Sequence, residues 1–220
     1  MNTVLIYSGG LDSTTALYWL LDRGDRVRTL SINYGQRHVR ELTAAASITL
    51  DLGVEHRIVY LTSMRALLRG SSQTDDTVPV PDGHYADESM RLTVVPNRNM
   101  LMLACALAWA ASSNADSVAY AAHAGDHAVY PDCRPEFVAA MARAAELCHF
   151  TPITILAPFI NFSKAEIVRI GAGLRVPFEK TWSCYRGEAV HCGTCGTCYE
   201  RREAFRIADV WDPTHYLKES

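Results

Sequence analysis

This 220-residue chain has no long apolar run, no excess of basic charge and no sequence pattern typical of a leader peptide. The longest apolar candidate, MLMLACALAWAA at residues 100–111, is too short to cross a bilayer and predicts a buried helix. A formal net charge of −3 argues against the large basic surface that neutralises many nucleic-acid phosphates. The N-terminus has no basic region followed by a cleavage site. We therefore expect a cytoplasmic protein with no membrane segment and no stable nucleic-acid partner.

A disulfide framework is not expected either, although the chain has seven cysteines. Cytosolic cysteines rarely pair, and four of these crowd between residues 184 and 198, which indicates a metal site. Cys105 lies in the apolar helix and is expected to pack there. Cys133 lies in a polar segment, where it is either a nucleophile or a structural residue.

Apolar patterning predicts alternating strands and helices. The sequence shows no internal repeat. Strands are expected near residues 3–7, 27–33, 56–61, 117–122 and 153–156, and helices near 13–22, 36–52, 97–113, 135–147, 164–172 and after 198. This alternation predicts an α/β fold with a doubly wound parallel sheet. We expect one α/β domain over residues 1–180, with a four-cysteine segment and a C-terminal helix over 181–220 packed on it. Residues 62–95 lack steady periodicity and are expected to form a lid.

The hexapeptide SGGLDS follows the first predicted strand and opens the first helix. A glycine turn at a helix N-terminus presents N–H groups to an anion, and Ser8 and Ser13 add hydroxyl donors. Gly9 and Gly10 would let a phosphate approach the backbone. The lysine of the common phosphate loop and the dinucleotide fingerprint are both absent, so Asp12 beside a phosphate requires a bridging cation such as Mg²⁺. The alternative is an ordinary turn in which Asp12 or Ser13 caps the helix.

Four cysteines near the C-terminus have the spacing of a metal site. Cys184, Cys192, Cys195 and Cys198 are separated by seven, two and two residues. A closed set of four thiolates is typical of structural zinc. An iron–sulfur cluster uses similar spacing, and a redox dithiol would need only two of the cysteines. His191 is expected at the surface, with a substitute ligand role as the alternative.

The position of SGGLDS after the first strand resembles the pyrophosphate loop of the N-type ATP pyrophosphatases, which adenylate a substrate oxygen and release pyrophosphate. Other stretches, in the same order, resemble the 7-cyano-7-deazaguanine synthase family of queuosine biosynthesis along essentially the whole chain. They are YGQRH (34–38), VPNRNMLML (95–103), HAGDHAVYPDCRPEF (123–137), SKAEIV (163–168) and TWSCYRG…CGTCGTC (181–198). The final GTC and the stretch YAAHAGDH depart modestly from that pattern.

This resemblance implies a Rossmann-like fold of the adenine nucleotide alpha hydrolase type. It also implies an ATP-dependent ligase that converts 7-carboxy-7-deazaguanine and ammonia into the nitrile through adenylated acid, amide and adenylated amide. Mg²⁺ would accompany ATP, and one structural Zn²⁺ would occupy the four cysteines. No glutaminase domain is visible, so free ammonia or a separate donor is expected. The resemblance further implies a homodimer.

The resemblance also implies roles for individual residues. Pyrophosphate and Mg²⁺ would be bound by Ser8, Gly9, Gly10, Leu11, Asp12 and Ser13. Adenine would lie near Tyr34 and Gln36. Arg98 and Lys164 would neutralise charge at the α-phosphate, with solvated surface cations as the alternative. The deazaguanine would contact a set drawn from Asp126, Tyr130, Asp132, Arg134 and Trp182.

Three competing functions are weighed against this one. A tRNA-modifying enzyme of the same superfamily would need an RNA-binding surface that this acidic chain does not suggest. A scaffold protein with an inactive nucleotide fold would not need SGGLDS or Lys164. A relative that stops at the amide, or attaches the deazaguanine to another acceptor, differs only in its product.

Overall fold

Five short strands form one parallel sheet in the computed structural model, which describes residues 1–84 and 88–218. The strands are β1 (Asn2–Ile6), β2 (Arg26–Asn33), β3 (Glu55–Tyr60), β4 (Ser117–Ala119) and β5 (Thr154–Leu156). The helices are α1 (Leu11–Asp22), α2 (Arg40–Leu52), α3 (Arg98–Ser112), α4 (Pro135–Leu147), α5 (Lys164–Gly173) and α6 (Gly196–Ala208). The predicted doubly wound parallel sheet is confirmed.

The strand order β3-β2-β1-β4-β5 places the functional region. The chain adds β2 and β3 on one side of β1, and then crosses over to add β4 and β5 on the other side. Thr3 of β1 pairs with Val27 of β2 and with Ser117 of β4. In such sheets ligands bind beyond the carboxyl ends of the strands at the switch point, which here lies between β1 and β4.

Both faces of β1 are buried, which explains the apolar run Val4–Leu5–Ile6 that ends it. Val4 packs in the core beneath α3 and α4, whereas its neighbour Leu5 packs in the opposite core with α1 and α5. Phe205 of α6 joins this second core and meets Phe178 edge to face, with ring centroids 5.0 Å apart. The C-terminal helix therefore extends the same core as the sheet.

Two element ends differ from the sequence prediction by three residues or more. α2 begins at Arg40 rather than at Gln36, because the Gln36 side chain builds the preceding turn. Its amide nitrogen donates to the Ile32 carbonyl and to Glu41, while its amide oxygen accepts the Tyr34 N–H. β4 ends at Ala119, three residues early, where the chain leaves the sheet toward a short 3-10 turn at Ala124–Asp126.

The segment over residues 62–95 packs into the core through Leu68, Met90 and Val95 and also makes polar contacts. Its residues 85–87 lie outside the described part of the chain. Short 3-10 turns occur at Thr62–Ala66 and Glu88–Thr93. Asp82 accepts hydrogen bonds from Arg186 at 2.6 Å and from the Thr194 hydroxyl at 2.8 Å. These contacts attach the segment to the cysteine-containing region; its role as a lid stays a prediction.

The helices also bear on the expected absence of a membrane segment. Among the described residues, no helix combines the length and apolar character that crossing a membrane requires.

Candidate active site

A cavity of about 210 Å³ opens beyond the carboxyl ends of β1 and β4, at the switch point of the sheet. The loop before α1, the turn after β2, and the N-termini of α3, α5 and α6 all contribute to its wall. Eleven predicted site residues line it: Ser8, Gly10, Leu11, Asp12, Ser13, Tyr34, Arg98, Asp126, Tyr130, Lys164 and Trp182. Gly9, Gln36, Asp132 and Arg134 do not, and neither does any described residue of the 62–95 segment.

The SGGLDS loop turns the chain so that the N-terminus of α1 faces this cavity. Gly10 is the N-cap residue, and no side chain within the described chain caps the helix through a hydrogen bond. The alternative of Asp12 or Ser13 as cap is therefore not observed. The Ser8 and Ser13 hydroxyls lie 3.0 Å apart, and the Ser8 hydroxyl accepts the Gly10 N–H at 3.2 Å. The open N-terminus suits an anion.

Position 9 requires a glycine because the loop packs against α2 there, and not because a ligand in the cavity needs the space. Its φ of +76° is in the left-handed region, and a Cβ there would lie 2.5 Å from the Ala45 nitrogen and 2.6 Å from the Glu41 carbonyl oxygen of α2. On the other side, the Gly9 carbonyl accepts the Trp182 N–H at 3.0 Å. The loop is thus held between α2 and the segment that leads to the cysteines.

A partly buried ion network lies beside the loop. The Lys164 ammonium contacts Asp12 Oδ2 at 3.1 Å and Glu200 Oε2 at 2.6 Å. Burial alone would raise the pKa of Asp12, but Lys164 and His123 lower it below its usual value. Burial likewise opposes the charge on Lys164, whose pKa is nevertheless raised by Asp12 and Glu200. Asp12 Oδ1 is buried with no hydrogen-bond partner in the described structure, so this carboxylate can still accept a cation.

His123 is a site residue that the sequence analysis did not single out. Its Nδ1 accepts the Gly125 N–H at 3.1 Å, which leaves Nε2 as the ring nitrogen that carries a proton. Nε2 lies 3.4 Å from Asp126 Oδ2 and 3.8 Å from Asp12 Oδ2. The ring therefore links the aspartates of two loops. Its position after the strand β4 at the switch point was the available signal.

Arg98 begins α3 among buried phenols. Its guanidinium carbon lies 5.6 Å from the centre of the Tyr130 ring. Burial would lower the pKa of Arg98, but nearby phenols and Asp132 raise it, so the guanidinium keeps its charge. Burial raises the pKa of Tyr34 to about 12, and the Tyr130 hydroxyl bonds to that of Tyr185 at 3.1 Å. This end of the cavity offers one cation and flat aromatic walls.

The YPDCRPEF stretch contributes less to the cavity than its motif suggested. Asp132 Oδ2 accepts the Asn99 N–H at 3.0 Å, so this carboxylate caps α3. Arg134 is exposed and donates to the His127 carbonyl. Cys133 does line the cavity, but burial raises the pKa of its thiol, which disfavours a nucleophilic thiolate.

Trp182 is fixed by the region that carries the cysteines. Its Nε1–H donates to the Cys184 carbonyl at 3.0 Å, and its ring lies 4.4 Å from that of His191. The expectation of a surface His191 is wrong, because the ring is buried and its Nε2 accepts the Ser183 N–H at 3.1 Å. Burial lowers the pKa of His191 to about 4, so the ring is neutral.

His38, Glu41 and Tyr185 line the cavity without having been predicted. His38 Nε2 lies 3.2 Å from Glu41 Oε2, and the His38 and Tyr185 rings are 5.4 Å apart. His38 lies within the YGQRH stretch, which was therefore the signal for this wall. Glu41 belongs to the first turn of α2 and carried no motif of its own.

The four predicted cysteines converge in one buried cluster. The sulfur atoms of Cys184, Cys192, Cys195 and Cys198 all lie within 4.8 Å of one another. The amide N–H groups of Thr194 and Cys195 point to the Cys192 sulfur, at 3.5 and 3.3 Å. This arrangement can hold a metal ion.

Comparisons with known proteins give one consistent family. Residues 2–209 match the family described as queuosine biosynthesis protein QueC. A protein of Allorhizobium ampelinum named 7-cyano-7-deazaguanine synthase is 50% identical over 218 residues, covering 98% of this chain and 92% of that protein.

Two solved structures share the fold. The U34-tRNA thiolase NcsA from Methanococcus maripaludis, with its 4Fe–4S cluster, superposes with a TM-score of 0.53 at 13% identity, covering 100% of this chain and 76% of that one. For NMN synthetase from Francisella tularensis the TM-score is 0.52 at 15% identity, with coverage of 96% and 78%. At such identities these two likenesses show the fold alone.

Proposed function

The chain belongs to the QueC family of queuosine biosynthesis proteins, and from this we propose that it converts 7-carboxy-7-deazaguanine and ammonia into 7-cyano-7-deazaguanine with ATP. The Allorhizobium ampelinum relative is named 7-cyano-7-deazaguanine synthase, and the 50% identity extends over 92% of its length. The structural observation that carries the proposal is the partly buried Asp12–Lys164 pair at the open N-terminus of α1, 3.1 Å apart. A carboxylate and an ammonium there match the two opposite charges of a metal–pyrophosphate group.

The proposed reaction uses ATP twice because a carboxylate is a poor electrophile. A carboxylate oxygen attacks the α-phosphorus, pyrophosphate leaves, and the acid becomes an acyl adenylate. Ammonia then displaces AMP and loses a proton, which gives the amide. The amide oxygen attacks the α-phosphorus of a second ATP and a second pyrophosphate leaves. Loss of AMP with two protons from nitrogen then gives the nitrile. One ATP site serves both rounds if the amide stays bound.

In this proposal the SGGLDS loop and α1 bind the triphosphate. Ser8, Ser13 and the first N–H groups of α1 would donate to pyrophosphate oxygens, while Asp12 would hold Mg²⁺ through its unpartnered Oδ1. Lys164 would neutralise charge that develops as pyrophosphate departs. Adenine would lie near Tyr34, whose backbone is held by Gln36.

The deazaguanine would occupy the aromatic end of the cavity. Tyr130 and Trp182 offer flat faces for stacking, and Arg98 would add a positive charge near the reacting carboxylate. Asp126 is the predicted carboxylate that lines the cavity, and so the better acceptor for the N–H groups of the guanine-like edge. Asp132 is less suited, since it already caps α3.

We further propose that the four cysteines bind one Zn²⁺ with a structural role. A tetrahedral site with Zn–S bonds of about 2.3 Å separates its sulfurs by about 3.8 Å, and the Cys192 and Cys198 sulfurs lie 3.9 Å apart. All four thiols are buried, which suits a closed site without room for substrate. Zinc by elemental analysis, without visible absorbance, would support this; iron with sulfide in a brown protein would replace it with a cluster.

The decisive experiment is mass spectrometry of the products formed from ATP, ammonia and 7-carboxy-7-deazaguanine. We expect nitrile, AMP and pyrophosphate, with the amide as a transient species. Amide as the final product would identify a relative that stops early. No turnover with the acid, combined with ATP-dependent modification of tRNA, would favour a tRNA-modifying enzyme. Light scattering of the same preparation tests the proposed homodimer.

A further inference from the structure

Within the described structure, α6 is the one helix that carries both a residue of the cysteine cluster and a residue of the ion network beside the cavity. The residue of the ion network is Glu200. Cys195 is the N-cap residue of α6 and Cys198 lies in its first turn. Two residues later, Glu200 is buried and its Oε2 lies 2.6 Å from the Lys164 ammonium. The residues that would hold the metal therefore set the start of the helix that carries this carboxylate.

Lys164 needs an anchor other than Asp12 if the proposed reaction is correct. Its backbone is fixed at the first position of α5, where Ser163 and Glu166 form a capping box. Its side chain is long and flexible, so the place of the ammonium depends on its partners. Asp12 is the partner at the loop, 3.1 Å away, but in the proposed function Asp12 binds Mg²⁺ when ATP binds. Glu200 does not take part in that exchange.

We propose that Glu200 is a positioning residue that holds the Lys164 ammonium at the pyrophosphate loop, and that the four-cysteine site fixes Glu200 through α6. The inference rests on the proposed function for its kinetic consequence, but its geometric part does not. Arg201 supports the same helix: its buried guanidinium donates to the Phe178 carbonyl at 2.9 Å and to the Thr181 hydroxyl at 2.8 Å. Metal loss would leave α6 attached to the core while freeing its first turn.

The kinetic test is a double-mutant cycle with Glu200→Gln and Lys164→Met. Glu200→Gln should lower kcat about 10- to 100-fold, with KM for ATP little changed, because an ammonium misplaced by about 1 Å loses its transition-state contact. In the Lys164→Met background the same change should cost nothing further, since no ammonium remains to be positioned. Glu203→Gln, on the more exposed side of α6, is the matched control and should keep the wild-type rate.

The geometric test uses the three lysines of the chain, Lys164, Lys180 and Lys218. Reductive methylation followed by peptide mass spectrometry reports each amine separately. The Lys164 side chain is 13% exposed and the Lys180 side chain 46%, so wild-type protein should label at Lys164 much more slowly. Glu200→Gln, and separately removal of the metal by a chelator, should each increase labelling of Lys164. Labelling of Lys180, which pairs with Asp51 at 2.8 Å, should not change.

Each outcome bears on a different part of the argument. Unchanged Lys164 labelling in both treatments, or an increase that appears only together with Lys180, would overturn the positioning role. A loss in the Lys164→Met background as large as in wild type would do the same, because it would show an effect of Glu200 on folding. Normal turnover by Lys164→Met would instead refute the proposed function of that lysine, while the labelling would still decide whether Glu200 holds it.

Discussion

Gly9→Ala is expected to weaken the fold, although the residue lies in a motif whose glycines are read as making room for phosphate. An alanine methyl would meet the backbone of α2, with 2.5 Å to the Ala45 nitrogen and 2.6 Å to the Glu41 oxygen. Ordinary contact begins near 3.4 Å, so α2 or the loop must move by about 0.9 Å. Both atoms belong to the backbone, so neither can rotate away.

The magnitude follows from two separate costs. An alanine held at the observed φ of +76° costs about 1–2 kcal/mol relative to glycine. Overpacking against a fixed backbone adds about 1–3 kcal/mol. The sum of about 2–5 kcal/mol is a large part of the total stability of a typical domain, about 5–15 kcal/mol. For a chain of this length it corresponds to a Tm lower by about 5–15 °C.

Gly10→Ala is the matched control, one residue away. Gly10 has an ordinary φ of −78°, and its added methyl would first meet the Ser8 hydroxyl at 3.1 Å, a side chain that can rotate. Its free energy of unfolding should stay within about 1 kcal/mol of wild type, while turnover falls because the methyl enters the cavity. Denaturant unfolding and thermal melts of both variants provide the test. Equal stabilities for the two variants would refute the packing argument.

Three further predictions concern the site. Asp12→Asn should lower pyrophosphate release about 100- to 1,000-fold or more, with metal content and Tm retained, because it removes the charge proposed to hold Mg²⁺; near-normal release would contradict that role. Cys133→Ala should keep turnover within about threefold, since burial raises the pKa of this thiol and leaves little thiolate; inactivation with normal folding would indicate a nucleophile. Cys198→Ala should lose the metal and lower Tm by about 10 °C or more, because the free energy of binding a structural metal is also folding free energy; full metal content by elemental analysis would show that this cysteine is not a ligand.

The fold could be predicted because its signals are local. Apolar patterning predicted every strand, and the alternation with helices predicted the parallel sheet, as the structure confirms. The start of α2 could not be placed because helical periodicity does not report how a side chain is used. The helical pattern of the following residues can be extended back to Gln36. The Gln36 amide instead makes three hydrogen bonds that build the turn before α2.

Site residues could be predicted only where they belong to a sequence motif. The loop residues and the four cysteines were found because their spacing is itself the signal, and the cysteines do converge. Glu200 and His123 were missed because Lys164 lies 36 positions from Glu200 and Asp12 lies 111 positions from His123 in the sequence. The role of Asp132 as a substrate contact stays a prediction: its carboxylate caps α3 and does not line the cavity, and no sequence pattern distinguishes these two placements.

The glycine loop and the cysteine cluster, two separate motifs in the sequence, form one assembly in the structure. The Trp182 N–H donates to the Gly9 carbonyl, so the segment just before Cys184 forms a wall against the loop. Arg201, three residues after Cys198, ties the same segment to α6 through Ser183 at 3.0 Å. A metal in the cluster would therefore stabilise one side of the cavity as well as the local fold. This arrangement explains why a closed metal site, which has no position for substrate, lies next to the residues proposed to bind ATP.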